Sequence, residues 1–413
     1  MTVLIEESFV GDPDNPIHSP NYTVKIETET DIDDDVAGFR PISLVLEEGI
    51  GYMSPMLRLR LIDLTGVLVD ESKLPPDEVF TVHIGRDDES LEEFEFQLSK
   101  LSMENIQPQS PSRLALDLYF LIEGWEDFGY KRHNRSWKGD EYSDVVEEIA
   151  GDSGFDPDVE DTEEFENLGQ ENDENIIYQL HWTNFQLLNW IAKRARSDEH
   201  GCCGFIFGIK ANKEFFFKTP NELYEEDEEI EYVYTPAFND EDFDEDEPIY
   251  NIEVVNDYAS LLKHGASGFK YKWFDYMEKE YEEDESEIED TGVDKLSDHF
   301  YIAEEHLDQK GYYYGHRDTK AKDVAEARIV HLAHSIQKVR IMVKGNQDLH
   351  IGDIVKIVIA SVVDNDFNET LSGKYMISGL THKISFDEKN GRGFWTELTL
   401  QRAGPSGDVE GVV

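Results

Sequence analysis

The fold is decided by residues 345–353, which read GNQDLHIGD, a glycine-framed turn between two apolar segments. The segment after it, IVKIVIA at 354–360, is rich in β-branched residues, which favour strands. Two further segments, GKYMISGLTHKI at 373–384 and GFWTELTLQR at 393–402, alternate apolar and polar positions. Such alternation buries one face of a strand. We therefore predict a meander that curls into a β-barrel at 335–403.

The first third of the chain carries the same period. Apolar residues alternate with polar ones at 57–61 (LRLRL), 94–98 (FEFQL) and 114–120 (LALDLYF). Turn-forming residues separate these runs, as expected for antiparallel strands. The pattern predicts a first β-barrel at 20–128, preceded by an N-terminal extension at 1–19.

The middle of the chain is expected to begin with two short helices. Ser143 or Asp144 is predicted to cap the first of them. Thr183 and Gln186 have the spacing of a capping box, and an apolar stripe continues the second helix to about residue 196. The middle region therefore mixes helices with strands.

A hairpin and a third helix complete the middle region. The runs CCGFIFGI at 202–209 and EFFFK at 214–218 predict the hairpin, and the helix is predicted at 320–334. Residues 404–413 are expected to form a flexible tail. The predicted fold class is β-rich α+β, with two β-barrel domains flanking a mixed α/β middle region at 129–334.

The charge is the extreme feature of the composition. The 413 residues include 91 Asp and Glu against 37 Lys and Arg, a formal net charge of −54. Two stretches, 222–247 and 278–290, concentrate this charge, and we predict both to be solvated acidic loops. A surface this acidic argues against specific binding of nucleic acid or of an anionic membrane. Salt adaptation and simple colloidal solubility are the alternative explanations for it.

Cysteines and hydropathy indicate the compartment. The two cysteines, Cys202 and Cys203, are neighbours in an apolar run, and adjacent cysteines rarely meet disulfide geometry. Buried thiols in a reducing compartment are the expected state. No apolar run approaches the roughly 18 residues of a membrane span, so no membrane anchor is expected. The N-terminus lacks the pattern of a signal peptide.

Motifs of catalysis and metal binding are weak. Gly151–Gly154 spells GDSG, a serine-protease-like sequence, but Phe155 follows it and helix termination explains the glycines. Nothing else in the sequence supplies a catalytic or cofactor-binding residue. Paired carboxylates for glycosidase chemistry stay open, because a chain this acidic contains chance pairs. We therefore predict no enzyme activity, no catalytic residue and no cofactor.

Two groups resemble metal ligands without completing a site. Asp240, Asp242 and Asp244 alternate as in a calcium loop, but the glycine and the bidentate glutamate of an EF-hand are missing. His331 and His334 lie near a predicted helix end, where a protonated histidine is favourable. No metal site is predicted from either.

The order and spacing of these segments resemble a known family. The chain, over 20–403, is similar to the baseplate hub protein of contractile-tailed bacteriophages, a family that includes the late control D proteins and the base of the type VI secretion spike. The segments around Ser143–Gly154 and Gln179–Ala195 match the family's two middle helices. The second-barrel motif that carries the resemblance consists of Gly345, Leu349, Gly352, Asp353, Gly373, Tyr375, Ile377, Leu398 and Leu400.

The resemblance implies a structural role in the virion. It implies a homotrimer whose two barrels per chain form a ring that adapts a sixfold tail tube to a threefold central spike. The implied partners are the spike protein, tail tube or tube-initiator proteins, and baseplate wedge and tape measure proteins. Genomic DNA would pass through the channel without specific binding, and an acidic channel lining is our hypothesis. Assembly would occur in the host bacterial cytoplasm, and the finished protein would lie in the tail baseplate.

Two other classes of function remain as alternatives. The first is a tail-associated cell-wall hydrolase, which would need a catalytic segment that the hub pattern does not leave free. The second is an acidic carbohydrate- or ion-binding β-protein. The oligomeric state separates these classes from a trimeric hub.

Overall fold

The fold is described from a computed structural model of the chain. Its elements follow the predicted periods, and most of them are strands. The structure describes residues 2–11, 20–28, 38–51, 54–64, 78–87, 90–105, 114–138, 141–163, 176–228, 230–234, 247–256, 268–275, 280–287, 300–303, 321–335, 337–360, 368, 371–387 and 391–402.

Seven antiparallel strands form the first part of a large sheet of 14 strands, in the order β1-β2-β5-β6-β7-β4-β3, and we call this part the first sheet. Their alternating apolar residues face one side and are buried there. The first strand lies within the predicted N-terminal extension. The strands are β1 (Thr2–Phe9), β2 (Tyr22–Thr28), β3 (Phe39–Gly49), β4 (Met56–Asp63), β5 (Val79–Gly85), β6 (Glu92–Asn105) and β7 (Leu114–Ile122).

The middle region packs short helices and small sheets against the first sheet. The two-stranded sheet pairs β8 with β10, and the next sheet has the order β11-β12-β9. A π-helical turn at Glu126–Tyr130 links the first sheet to this region. The elements are β8 (His133–Lys138), α1 (Tyr142–Asp152), β9 (Asp156–Val159), β10 (Ile176–Trp182), α2 (Asn184–Ile191), β11 (Ile206–Ile209), β12 (Glu214–Lys218) and α3 (Pro220–Glu225).

The remaining strands form a three-stranded sheet and the last part of the large sheet. The three-stranded sheet has the order β17-β16-β18. The elements are β13 (Ile230–Tyr234), β14 (Glu247–Pro248), β15 (Asn251–Asn256), β16 (Gly268–Asp275), β17 (Glu280–Glu287), β18 (Phe300–Ala303), α4 (Ala321–His334), β19 (Gln337–Lys344), β20 (Ile354–Ile359), β21 (Gly373–Ser385) and β22 (Gly393–Arg402).

The last part of the large sheet curls back on itself. Its strands pair in the order β13-β20-β21-β22-β19, and β15 pairs with the free edge of β19. The strand β14, which runs into β15, pairs with β13 on the opposite side. The segment 247–256 therefore pairs with both edge strands of this part of the sheet, with β13 through β14 and with β19 through β15. The strands β13 to β15 come from the predicted middle region, so the proposed division of the chain into modules stays a prediction.

The strand β21 joins the two parts of the sheet. Along one edge its first residues pair with β20, and its later residues, Gly379–Ser385, pair with β3. A bulge between Ile377 and Gly379 marks the change of partner on the β22 side. The two curled parts are therefore one continuous sheet of 14 strands.

Two hydrophobic cores lie on the concave sides of the curled sheet. The first holds the inward residues of β2 to β7 and the apolar faces of α1 and α2. The second holds those of β13 and β19 to β22. The strands β21 and β22 serve both, because Ile384 and Phe394 lie in the first core while Leu380 and Leu398 lie in the second.

The helix starts and ends correct several predictions. The capping box is confirmed, since Thr183 accepts a hydrogen bond from the Gln186 amide at 3.2 Å. The helix α2 nevertheless ends at Ile191 rather than near 196, because Arg196 enters a β-bridge with Cys203.

The first helix also starts differently from the prediction. Glu141, not Ser143 or Asp144, is its N-cap, and the Asp144 carboxylate accepts from the Glu141 amide at 3.2 Å. The predicted third helix at 320–334 matches α4. None of the described helices has the length and apolarity that crossing a bilayer requires.

The acidic stretches are not simply loops. Within 222–247 the structure contains the end of α3, the strand β13 and the start of β14. Within 278–290 it contains β17, which pairs antiparallel with β16. The loop prediction is wrong for these parts, because backbone pairing with a neighbouring strand outweighs the low strand propensity of Glu and Asp. Residues 235–246 lie outside the described residues.

Candidate functional site: a buried polar joint between the two cores

The glycine-framed turn is fixed to the strands β21 and β22. The Gly345 amide donates to the Phe394 carbonyl at 2.9 Å, and a Cβ on Gly345 would lie 2.1 Å from the Phe394 ring. Gly352 has φ of +93°, and its amide donates to the Ile377 carbonyl at 2.9 Å. The Ile377 amide donates in turn to the Asp353 carbonyl at 2.9 Å. Both glycines are therefore required by geometry.

The remaining residues of the predicted motif build the second core. The Tyr375 hydroxyl donates to the Leu371 carbonyl at 2.7 Å and accepts from the side-chain Nε2 of Gln337 at 2.9 Å. Gly373 has φ of +133° where β21 begins. The motif members that are buried in this core are Leu349, Tyr375, Ile377, Leu398 and Leu400.

Asp353 connects the turn to the hairpin of the middle region. Its carboxylate accepts from the His350 amide at 2.6 Å and from Lys210 Nζ at 3.1 Å. Lys210 also pairs with Glu214 at 2.9 Å. Burial disfavours the charge of Lys210, but the two carboxylates outweigh it and raise its pKa.

His350 connects the turn to the first sheet. Its Nδ1 lies 3.0 Å from Glu48 Oε1, and its Nε2 lies 3.2 Å from Glu92 Oε1. The Glu48 side chain is fully buried and also accepts from the Ala211 amide at 3.0 Å and the Ile351 amide at 3.2 Å. One carboxylate of β3 therefore binds the hairpin and the turn at once.

The electrostatics favour a permanent ion pair. Burial lowers the pKa of His350, but Glu48 and Glu92 outweigh it and raise the pKa to about 10. Burial acts to raise the pKa of Glu48, and the attraction of His350 leaves it below its usual value. The nearby His382 is different, because burial lowers its pKa to about 4 and its Nδ1 bonds to Thr396 Oγ1 at 2.9 Å. His350 is charged at neutral pH and His382 is not.

The loop between β5 and β6 completes the contact between the cores. Arg86 donates to the Gly345 carbonyl and pairs with Glu247 at 3.0 Å. Gln347 donates to the Ser90 carbonyl at 2.9 Å. We call the whole set the polar joint, and it comprises Glu48, Arg86, Ser90, Glu92, Lys210, Ala211, Glu247 and the turn 345–353.

Sequence reasoning found the turn but missed its partners. A signal existed for Glu48, which continues the inward alternation of Leu44 and Leu46 on β3. A glutamate in phase with core leucines is buried with a partner. Lys210 and Glu92 carried no comparable signal, because surface lysines and glutamates are common.

The GDSG sequence is a helix end. Ser153 is the C-cap of α1, and its hydroxyl donates to the Ile149 carbonyl at 2.9 Å. It also accepts from Asn184 Nδ2 at 3.3 Å. Gly154 has φ of +82°, which suits a helix terminator. The residues are placed as the termination hypothesis predicts.

The histidines at the end of α4 lie against other segments, His334 buried and His331 partly buried. His331 Nε2 lies 2.9 Å from the Gly204 carbonyl, and burial lowers its pKa. Burial lowers the pKa of His334 to about 4, and its ring stacks on Tyr224 at 5.6 Å. The explanation through the helix dipole is wrong, because that explanation requires protonated rings.

Two groups of side chains have the proximity of metal ligands. The first group is Cys203, Asp323 and Glu326, and all three are buried. The Arg196 guanidinium lies among them, 3.0 Å from Asp323 and 2.7 Å from Glu326. This cation neutralises the carboxylates in the place where a metal would bind. Both cysteines are free, and burial raises the pKa of Cys202 to about 11.

The second group is Glu160, His200 and Glu222. The Glu160 carboxylate accepts from the Thr219 amide at 2.5 Å and from the Thr219 hydroxyl at 3.2 Å. His200 pairs with Glu222 at 2.9 Å. These contacts hold the start of α3 and satisfy the carboxylate. The three predicted calcium-like aspartates, Asp240, Asp242 and Asp244, lie outside the described residues.

This architecture, a curled β-sheet with a mixed middle region, is the fold of phage tail hub-like proteins. No family model matches the chain, and no curated protein matches it in sequence. Solved structures match it almost from end to end. A tail protein from Neisseria meningitidis MC58 has 11% identity and a TM-score of 0.57, with 93% of this chain and 97% of that chain covered.

Two further structures have the same fold. The 43 kDa tail protein of prophage MuSo2 from Shewanella oneidensis has 9% identity and a TM-score of 0.57, covering 92% of this chain and 98% of its own. An Escherichia coli component of the type VI secretion system, similar to T4 bacteriophage tail proteins, has 9% identity and a TM-score of 0.50. That match covers 92% of this chain and 77% of the other. The predicted resemblance is confirmed at the level of the fold.

The first testable prediction concerns the turn. Gly345→Ala is expected to lower the free energy of unfolding by about 1–3 kcal/mol, since the new methyl group overlaps the Phe394 ring. Urea denaturation measures the change. Gly151→Ala is the matched control, because its Cβ meets open space, and it is expected to be neutral or stabilising. Equal destabilisation by both variants would contradict the packing argument.

The second prediction concerns the polar joint. His350→Leu is expected to destabilise the fold by about 3–5 kcal/mol, because it leaves the buried Glu48 without its charged partner. His83→Leu is the control, since His83 pairs with Glu27 nearer the surface and a change below about 1 kcal/mol is expected there. If His350→Leu lowers the free energy of unfolding no more than His83→Leu does, the ion pair of His350 and Glu48 does not stabilise the fold as argued.

The third prediction concerns pH. A group with a raised folded pKa stabilises the fold below its unfolded pKa and loses that contribution as pH rises through the folded value. His350 should therefore make stability decline from about pH 6.5 to about pH 10. Denaturation at a series of pH values measures this slope, and His350→Gln should flatten it. An unchanged slope in that variant would assign the decline to other groups.

Proposed function

We propose that this chain is a structural baseplate hub subunit of a contractile phage tail. Three copies form a ring that adapts the sixfold tail tube to the threefold central spike, and the two curled parts of each chain act as two barrel modules. DNA passes through the channel of the ring. The subunit resides in the tail baseplate of the virion and is assembled in the host cytoplasm.

The observation that carries the proposal is the pairing of β21 with both β20 and β3. This pairing joins the first seven strands and the later strands into one sheet within one chain, which supports two adjoining modules. Three such chains present six similar modules around an axis, which is what contact with a sixfold tube requires. Rings of this kind close through heterologous contacts between unlike surfaces of neighbouring copies. The match of tail proteins over nearly the whole chain supports the same assignment.

The polar joint suits an adaptor whose two modules must stay at a constant angle. A buried ion pair bonded to three separate segments fixes the angle between the two modules, since any rotation would strip the Glu48 carboxylate of its donors. A fixed angle is needed if six modules are to form a regular ring. We propose the spike protein, the tube or tube-initiator proteins and the wedge and tape measure proteins as its partners.

The test is the mass of the purified full-length chain in solution. Size-exclusion chromatography with light scattering is expected to give three times the chain mass of 47.6 kDa. Where the free chain is smaller, the measurement is repeated with a co-expressed spike protein, and a 3:3 complex is expected. A chain that stays monomeric in both cases and degrades cell-wall substrate would support the hydrolase alternative and overturn the hub.

A further inference from the structure

One row of side chains crosses the seam between the two cores. The strand registers pair its members in sequence, each opposite the next on the neighbouring strand. Their neighbours along each strand, such as Leu59 and Leu44, are core residues, so the row lies on the outer face of the sheet. From β6 to β19 the row consists of Lys100, Tyr119, Arg58, Val45, Lys383, Trp395 and Lys344.

The cations in this row are regularly spaced. Lys100, Arg58, Lys383 and Lys344 stand on every second strand, and uncharged residues stand between them. Adjacent strands are about 4.8 Å apart, so neighbouring cations are separated by about 9.6 Å and the row extends about 29 Å. The row contains no carboxylate.

One aromatic ring positions two of the cations. The Tyr119 ring lies between two of them, 5.4 Å from the Arg58 guanidinium and 5.2 Å from Lys100 Nζ. Such contacts orient a cation without neutralising it. Beside Val45, a groove of about 550 Å³ opens on the same face, and Lys383 and Trp395 line it.

The carboxylates near the row leave its cations accessible. Arg58 pairs with Asp117 at 2.9 Å, and Lys383 pairs with Glu397 at 2.5 Å. The side chains of Arg58 and Lys383 nevertheless remain 47% and 44% exposed. Exposed pairs of this kind contribute little to stability, so they hold these two cations only weakly.

We propose that this row is a contact surface for the phosphate backbone of duplex DNA. The proposal rests on the proposed function, in which DNA passes along the ring. It gives the surface that DNA meets a local positive charge within a chain of net charge −54, which is the opposite of the acidic lining hypothesis. Contacts made only by side-chain cations to phosphates carry no sequence information, so DNA is held weakly and can slide.

The shape of the surface favours a polyanion over an acidic protein segment. The cations are spread over seven strands, whereas docking of a protein segment relies on a compact cluster of buried anchors. Outside the groove, the row is an open sheet face. A line of separated cations can contact several phosphates of one duplex, each as an independent charge.

The experiment measures binding of a fluorescent duplex of random sequence by anisotropy, over a series of salt concentrations. The full-length wild-type chain is expected to bind at low salt and to release the duplex as salt rises. The Lys383→Gln and Lys344→Gln double variant is expected to reduce the slope of log affinity against log salt by about two, one for each cation removed. Duplex should also protect Lys383 and Lys344 from acetylation.

The matched control is the Lys131→Gln and Lys193→Gln double variant, which removes two exposed cations away from the row and should keep the wild-type slope. An equal loss in the control, or no binding by the wild type at low salt, would overturn the proposal. Light scattering on the same samples measures the oligomeric state, which tests the proposed function separately. A trimer that does not bind DNA would reject the proposed role of the row but not the proposed function. A double variant of the row that no longer forms a trimer but binds DNA as before would show that the row contacts a neighbouring copy instead of DNA.

Discussion

The structure depends on one strand that has two partners on the same edge. The strand β21 spans 13 residues, and its pairing passes from β20 to β3 beside a bulge. A β-bulge bends its strand and increases the local twist, which lets one strand leave one curl and enter the next. Because β21 and β22 contribute side chains to both cores, neither core can form fully without this pair.

Backbone pairing alone leaves the angle between the two curled parts adjustable, and the polar joint removes this freedom. Glu48 is fully buried, and a buried carboxylate is tolerated only when it is paired and hydrogen-bonded. Its donors come from the turn and from the hairpin, so one arrangement of three segments satisfies it. The joint also explains the glycine-framed turn, whose glycines let the backbone approach Phe394 and carry His350 and Asp353 to their partners.

The sequence pattern predicted helices and strands correctly where apolar residues recurred with a single period. The alternation at 57–61 and 94–98 became strands with buried inward faces, and the Thr183 capping box formed as expected. The errors have physical reasons. The acidic residues at 280–287 pair with a neighbouring strand, which no local pattern reveals. The histidines of α4 are partly or fully covered by distant segments, so their charge state could not be read from their position near a helix end.

The sequence predicted the class of fold, the core positions and the glycine-framed turn, because periodicity and glycine geometry act over a few residues. It also determined the net charge of −54. Three features appear only in the folded chain: β21 joins the two parts of the sheet, Glu48 meets His350, and four cations line up across seven strands. These features depend on register between distant segments, such as those of Glu48 and His350, which are 302 residues apart, and no local preference encodes such a register.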